Sequence, residues 1–253
     1  MKKITLLGID IQNDSIERIL YTIAKNIPSK HFFHIVSLNP EIIVETQKNN
    51  IFKEIVKTAQ INIIDGIGVA LTIQTLFKTP SKRIAGVDLM QQLLEYAGKN
   101  SLRVVLIGGT AKLADNIAKC YQKKYPDAIF YGLQAIKNIK KPTPSEMTHI
   151  SSIVTDIGPH FVFAAFGSPY QEIWLWKNRK LFSSSICMGV GQGFDVEGGV
   201  VNRAPFWMRT IGLEWLYRLI SQPWRWKRQL ALPFFVFLVI KEFVYDHLFL
   251  PKN

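Results

Sequence analysis

The feature that most constrains this chain is a repeated alternation of short apolar runs with longer stretches of helical character. The runs are Ile4–Ile9, Phe32–Ser37, Ile61–Ile64, Leu102–Ile107, Ala128–Tyr131, Phe161–Phe166 and Ile186–Val190. They read as continuously apolar strands, the pattern expected when helices cover both faces of a sheet. Helix signals lie between them. Asp14 or Ser15 caps a helix to Ile27 with Pro28 beyond it, and Asn39-Pro40 opens one through about Gln47. Others start near Gly68, run from Leu89 to Lys99, end near Lys124, span Ser145 to Asp156, and open with Pro169 at the first position. The predicted fold class is therefore α/β, with a mainly parallel, doubly wound, Rossmann-like sheet. A length of 253 residues suits one such domain with an appendage.

In a sheet of this kind ligands gather beyond the carboxyl ends of the strands. The residues just past the runs are Ser37, Asn39, Asp65, Gly108 to Thr110, Gly167 to Gln171 and Gly191 to Asp195, so these should converge on one rim. Asp65 sits directly after a buried strand and before Gly66-x-Gly68. Its carboxylate is either a general base facing the cleft or the N-cap of the next helix. Gly108-Gly109 and Gly189-x-Gly191-x-Gly193 both let backbone amides approach a phosphate. Neither is a dinucleotide fingerprint, because Phe194 stands where the third glycine belongs, and a P-loop is absent from the sequence. There is also no Asp-x-Asp pair to hold a divalent cation, so a departing diphosphate would rely on arginines or helix dipoles.

Charge narrows the partners. With 31 Lys+Arg against 19 Asp+Glu the chain carries a formal +12, which favours an anionic partner. Trp224 and Trp226 lie among Arg225, Lys227 and Arg228, an arrangement suited to a membrane interface rather than a nucleic-acid groove. The run Leu230 to Ile240 falls short of the roughly 20 residues a spanning helix needs, so it would lie on a bilayer without crossing it. Arg83, Arg203, Arg218, Arg225 and Arg228 are the cations near the candidate sites. Arg218, Arg225 and Arg228 share one side of a helix if that helix continues through Pro223, while Glu214 and Arg218 have the spacing of an i, i+4 pair. Cys120 and Cys187 are too far apart to suggest a disulfide framework or zinc site, and a reducing compartment is expected. The apolar run after Lys2-Lys3 is too short for a signal-peptide core, and the scattered histidines His31, His34, His149, His160 and His247 read as structural.

The chain resembles the WecG/TagA/CpsF family of bacterial glycosyltransferases. The residues that carry the resemblance are SLNPE (37–41), IIDGIGV (63–69), KRIAGVDL (82–89), LIGGT (106–110), FGSPYQEIW (166–174), GVGQGFDVEGG (189–199), RAPFW (203–207) and LEWLYRLISQPWRWKRQ (213–229). The resemblance implies an inverting, metal-independent transfer, with no cofactor, from a UDP-sugar to an undecaprenyl-diphosphate-linked saccharide in cell-surface polysaccharide synthesis. The sugars it admits are ManNAc, ManNAcA, glucose and glucuronate. It implies that Asp65 is the general base, that Asn39, Arg83 and Gln171 line the pocket, and that Asp195 lies by the nucleotide. Ser37 stands where many members have threonine, and keeps the hydroxyl.

On this reading residues 1–202 form the catalytic core and 203–253 a helical, membrane-associating appendage whose Arg218, Arg225 and Arg228 close over the site. The expected location is peripheral, on the cytoplasmic face of the plasma membrane. Self-association into a homo-oligomer is left open, and nucleic acid is not expected. The alternative is a non-catalytic membrane-surface binding module, which explains the charge but leaves the ordered polar rim without a role.

Overall fold

The computed structural model describes residues 4–249 other than 111, 134 and 135. It begins with β1 (Ile4–Leu6), β2 (Ile9–Ile11), α1 (Ile16–Lys25), β3 (Phe33–Leu38), α2 (Pro40–Lys48), α3 (Asn50–Thr58), β4 (Ile61–Ile64) and α4 (Ile67–Leu76). Next come α5 (Gly86–Lys99), β5 (Arg103–Gly108), α6 (Leu113–Lys124), β6 (Ile129–Leu133), α7 (Pro144–Ile157), β7 (Phe161–Ala165), α8 (Tyr170–Lys177), β8 (Ile186–Gly189) and α9 (Gly193–Glu197). The C-terminal part comprises α10 (Phe206–Thr210), α11 (Glu214–Ser221), a 3-10 turn (Pro223–Arg225), α12 (Trp226–Gln229) and α13 (Ala231–Phe249).

Six strands form one sheet in the order β4-β3-β8-β7-β5-β6, with every neighbouring pair parallel. The parallel, doubly wound expectation is met, and its cause is visible in the side chains. Along β3, β4, β5, β7 and β8 nearly every residue is buried, with one face packed on α1, α5 and α6 and the other on α7, α8 and the elements around β4. Only the edge strand β6 alternates, and it leaves Ile129 and Tyr131 exposed.

The first apolar run departs from expectation. Instead of a strand in the main sheet, residues 4–11 make a separate antiparallel hairpin with Thr5 opposite Asp10. Leu7 and Gly8 both have positive φ (51° and 75°), the geometry of a two-residue turn whose twist matches the flanking strands. Other corrections concern helix boundaries. Asn49 closes α2 and caps α3, accepting the Phe52 amide at 3.0 Å, so a further helix occupies residues 50–58, where Phe52, Ile55 and Val56 recur at helical spacing after an Asn cap. Pro169 is the N-cap of α8 rather than its first helical residue.

The helix does not persist across Pro223. α11 ends at Ser221, because a proline lacks the amide the next turn needs, and the chain resumes as a 3-10 turn and α12. The final helix then packs on α2 and α4. Phe235 (1% exposed) and Val239 join Ile4, Leu6, Ile9, Ile43, Phe52 and Ile73 in one apolar cluster, so the ends of the described chain share a core. Among the described residues no helix is long and apolar enough to cross a membrane.

Candidate active site

Because the strands are parallel, the ends of β3, β4, β5, β7 and β8 open on the same side, and there they border a cavity of about 810 Å³. Ser37, Asn39, Asp65, Arg83, Gly109, Gln171, Asp195, Arg218, Arg225 and Arg228 all line it. The structure thus brings together almost every residue singled out in the sequence. Gly108 lies just behind: its φ is +104°, and a Cβ there would meet the Ala165 carbonyl at 2.7 Å, so it shapes the turn that Gly109 presents. Ser37 points its hydroxyl toward Gly86, where an added Cβ would come within 2.7 Å of it.

Asp65 is held by the main chain. Its amide and that of Gly66 both donate to the Leu38 carbonyl, at 2.9 and 3.0 Å, which ties the exit of β4 to the exit of β3. A side chain at Gly66 would strike Pro40 Cδ at 2.6 Å, so this close crossing requires glycine. Of the two roles open to Asp65 from the sequence, the N-cap fails, since Gly66 caps α4 and no side chain accepts from its first turn. The Asp65 carboxyl is therefore not the cap of α4; it meets the Gly86 amide at the start of α5 and borders the cavity. Burial pushes its pKa above the usual carboxylate range, against the opposing pull of Arg83 and Arg218.

The glycine loops after β7 and β8 are tied to each other by one side chain. Oε1 of Gln171 accepts the amides of Gly167 (3.1 Å) and Gly191 (3.0 Å), and its Nε2 donates to Oε1 of Glu172 at 2.8 Å. Gln171 thus braces the two loops from the wall of the cavity. Glu172 is 2% exposed, and burial raises its pKa. Asn39 is also engaged locally, accepting the Ile42 amide at 3.0 Å as the cap of α2. Asp195 lies in the first turn of α9, with its pKa raised by burial and opposed by Arg225.

The cations come from across the chain. Although the helix breaks at Pro223, Arg218 of α11, Arg225 of the 3-10 turn and Arg228 of α12 still converge on the cavity. Arg228 makes a two-point contact with Glu41 at 2.7 and 2.8 Å. Arg225 bonds to the amide oxygens of Gln192 and Gln222. Its pKa is lowered to about 10 by burial and by Arg228 and Arg218, so these guanidiniums press on one another. Such a cluster favours a multiply charged anion.

Glu214, seen in the sequence only as a partner for Arg218, is 6% exposed and accepts from Arg83 at 2.6 Å and Arg218 at 2.7 Å. Arg203 makes a bidentate contact with Asp88. No local spacing announces these long-range pairs. Leu71 of α4 and Leu232, Phe235 and Val236 of α13 also line the cavity and give it an apolar wall.

The sequence profile of the WecG/TagA/CpsF glycosyl transferase family matches residues 4–247. The chain belongs to that family. This WecG/TagA/CpsF member is 33% identical over 218 residues to a protein of Bacillus subtilis (strain 168), covering 86% of this chain and 83% of the relative. It is 32% identical over 208 residues to one of Bacillus spizizenii, covering 82% and 79%, and 27% identical over 242 residues to one of Staphylococcus aureus (strain MW2), covering 94% and 92%. All three bear the name N-acetylglucosaminyldiphosphoundecaprenol N-acetyl-beta-D-mannosaminyltransferase. Membership makes the chain a glycosyltransferase, which decides between enzyme and adaptor.

Proposed function

We propose that this glycosyltransferase moves a sugar from a UDP-sugar to N-acetylglucosaminyl-diphospho-undecaprenol, with inversion and without a divalent cation. The observation that carries the reading is a cavity lined together by a buried carboxyl, an arginine cluster and an apolar wall. These match an acceptor's hydroxyl, its diphosphate and its polyprenyl chain. N-acetylmannosamine is the first donor sugar to try because it is named in the relatives, with ManNAcA, glucose and glucuronate as comparisons.

In the reaction Asp65 takes the proton from the acceptor hydroxyl as its oxygen bonds to the anomeric carbon. The bond from that carbon to the UDP oxygen breaks on the opposite face, and UDP leaves with the electron pair. The glycine loops braced by Gln171 offer amides to the nucleotide phosphates, with Asp195 beside the nucleotide. Arg83, Arg218, Arg225 and Arg228 offset charge on the acceptor and departing diphosphates.

The reading puts the enzyme on the cytoplasmic face of the membrane, peripherally bound. Phe206, Trp207, Ile220, Trp224 and Trp226 are exposed on the C-terminal elements, Trp224 by 72%, beside Arg225 and Lys227. Aromatic and cationic side chains in that combination suit the headgroup region. The division at residue 203 is then a functional one, between a core that binds nucleotide and a cover that meets lipid.

The test is transfer assayed with a short-chain GlcNAc-diphosphate-polyprenol and a panel of UDP-sugars, with and without EDTA. Disaccharide product of inverted anomeric configuration, undiminished by EDTA, is expected. Absence of product with every UDP-sugar would overturn the reading, and EDTA-sensitive transfer would overturn its metal-independent part.

A further inference from the structure

The cations around Asp65 pose a physical problem that the proposed chemistry leaves unsolved. Asp65 is faced by Arg83 from the segment before α5, by Arg218 and Glu214 from α11, by Arg203 from the segment before α10, and by the Gly86 amide at the start of α5. Left uncompensated, these guanidiniums would repel one another and would oppose the burial that raises the Asp65 pKa, which would weaken it as a proton acceptor. The structure contains the remedy. Glu214 is buried, and each of its carboxylate oxygens is committed to a different arginine: Oε2 to Arg83 and Oε1 to Arg218. Arg203 Nε approaches the same Oε1 at 3.8 Å, while its other nitrogens engage Asp88.

We propose that Glu214 is a positioning residue for the transfer, fixing Arg83 and Arg218 around Asp65 and cancelling enough of their charge to leave Asp65 a competent base. The inference rests on the assignment of Asp65 as that base. Its geometric support is the sharing of one carboxylate between two arginines that both line the cavity, 131 residues apart in the case of Arg83. Arg83 is further steadied by donating to the Arg209 carbonyl at 3.3 Å, so it is bolted to the C-terminal segment at two points. Direct electrostatics agree with the geometry. Burial is the main force that raises the Asp65 pKa; Arg83 and Arg218 pull it down, and the negative charge of Glu214 works against that pull.

A role in holding α11 alone and a role in tuning Asp65 differ in what they do to Asp65 itself. In full-length protein carrying carboxyl-13C aspartate, the Asp65 signal is assigned by its loss in Asp65→Asn and then titrated in wild type, Glu214→Gln and Arg218→Gln. Asp65 is expected to titrate lower in Glu214→Gln and higher in Arg218→Gln than in wild type. In the transfer assay Glu214→Gln should lose roughly tenfold or more in kcat, through a weaker base and misplaced arginines, and the acid limb of its pH profile should move to lower pH. An Asp65 titration unchanged in Glu214→Gln, or a wild-type kcat in that variant, overturns the proposal. If Glu214→Gln does not fold, Arg218→Gln decides alone, and an unmoved Asp65 there overturns it. Should wild type transfer no sugar at all, the functional reading fails separately, while the titrations still decide whether Glu214 tunes Asp65.

Discussion

The amide of Leu7 donates to Oε2 of Glu242 at 3.0 Å, joining the turn of the first hairpin to the last helix. Around this contact Phe235 and Val239 fill a cluster with Ile4, Leu6, Ile9 and Phe52, so α13 is part of the core that supports β3 and β4. Phe235→Ala should destabilise the protein by about 3–5 kcal/mol, the usual range for a fully buried phenylalanine. Truncation after Gln229 should lower Tm further, with loss of the cooperative transition as the clearest sign. Denaturant unfolding of both variants checks this, and a truncated chain as stable as the full one would refute it.

Asp65 sets function against stability. A carboxyl whose pKa is raised by folding stabilises the native state while protonated, below its unfolded value, and that contribution is lost as pH rises through the folded value. At neutral pH the buried charge is therefore a cost. Asp65→Asn should lower transfer by about 10²–10⁴-fold, yet keep or raise Tm at pH 7. In wild type, activity should fall as pH drops through a limb above the ordinary carboxylate range. Circular dichroism melts alongside the pH–rate profile report both effects.

Replacing Gln171 tests the brace between the phosphate loops. In Gln171→Leu the amides of Gly167 and Gly191 lose their shared acceptor, a defect worth about 1–3 kcal/mol for buried groups. UDP affinity measured by calorimetry should weaken by roughly tenfold or more on the same scale. Unchanged affinity would mean that the loops hold their shape without it. Gly189→Ala should act in the same direction, since its Cβ would lie 2.6 Å from Gln171 Nε2.

His34 predicts acid lability. It is buried in β3 with neither ring nitrogen hydrogen-bonded, and burial lowers its pKa to about 4. Because the unfolded chain binds the proton more tightly, stability is fully present above the ordinary histidine value of about 6.5 and is lost as pH falls toward 4, by roughly 3 kcal/mol in all. His34→Phe should remove this part of the pH dependence. Thermal melts of the pair from pH 7.5 to 4.5 should diverge toward the acid end, and parallel curves would count against it.

Much of the site was legible because parallel strands all deliver their exit residues in one direction. Ser37, Asn39, Asp65, Gly109 and Gln171 are each near a strand's carboxyl end, and a sheet with one strand direction must bring them to one edge. The failures were local conflicts that periodicity does not resolve. Ile4–Ile9 is as apolar as a core strand, and only the positive φ of Leu7 and Gly8, stabilised by packing against α13, turns it into a hairpin. Asn39 and Gln171 line the cavity as expected; that their side chains also hold the backbone, through hydrogen bonds to Ile42, Gly167, Gly191 and Glu172, depends on contacts that the sequence does not announce.

The sequence by itself determined the α/β class, the common rim and the family to which the rim residues belong, because apolar run length and the residues that end each run are local properties. Tertiary structure decided how charges pair. Glu214 lies 131 residues from Arg83, and Arg228 lies 187 from Glu41. Pro223 breaks the helix on which the three arginines were aligned by spacing, yet folding brings them together on the cavity by another path. Coulomb energy depends on distance in space and on burial, and neither is encoded in separation along the chain.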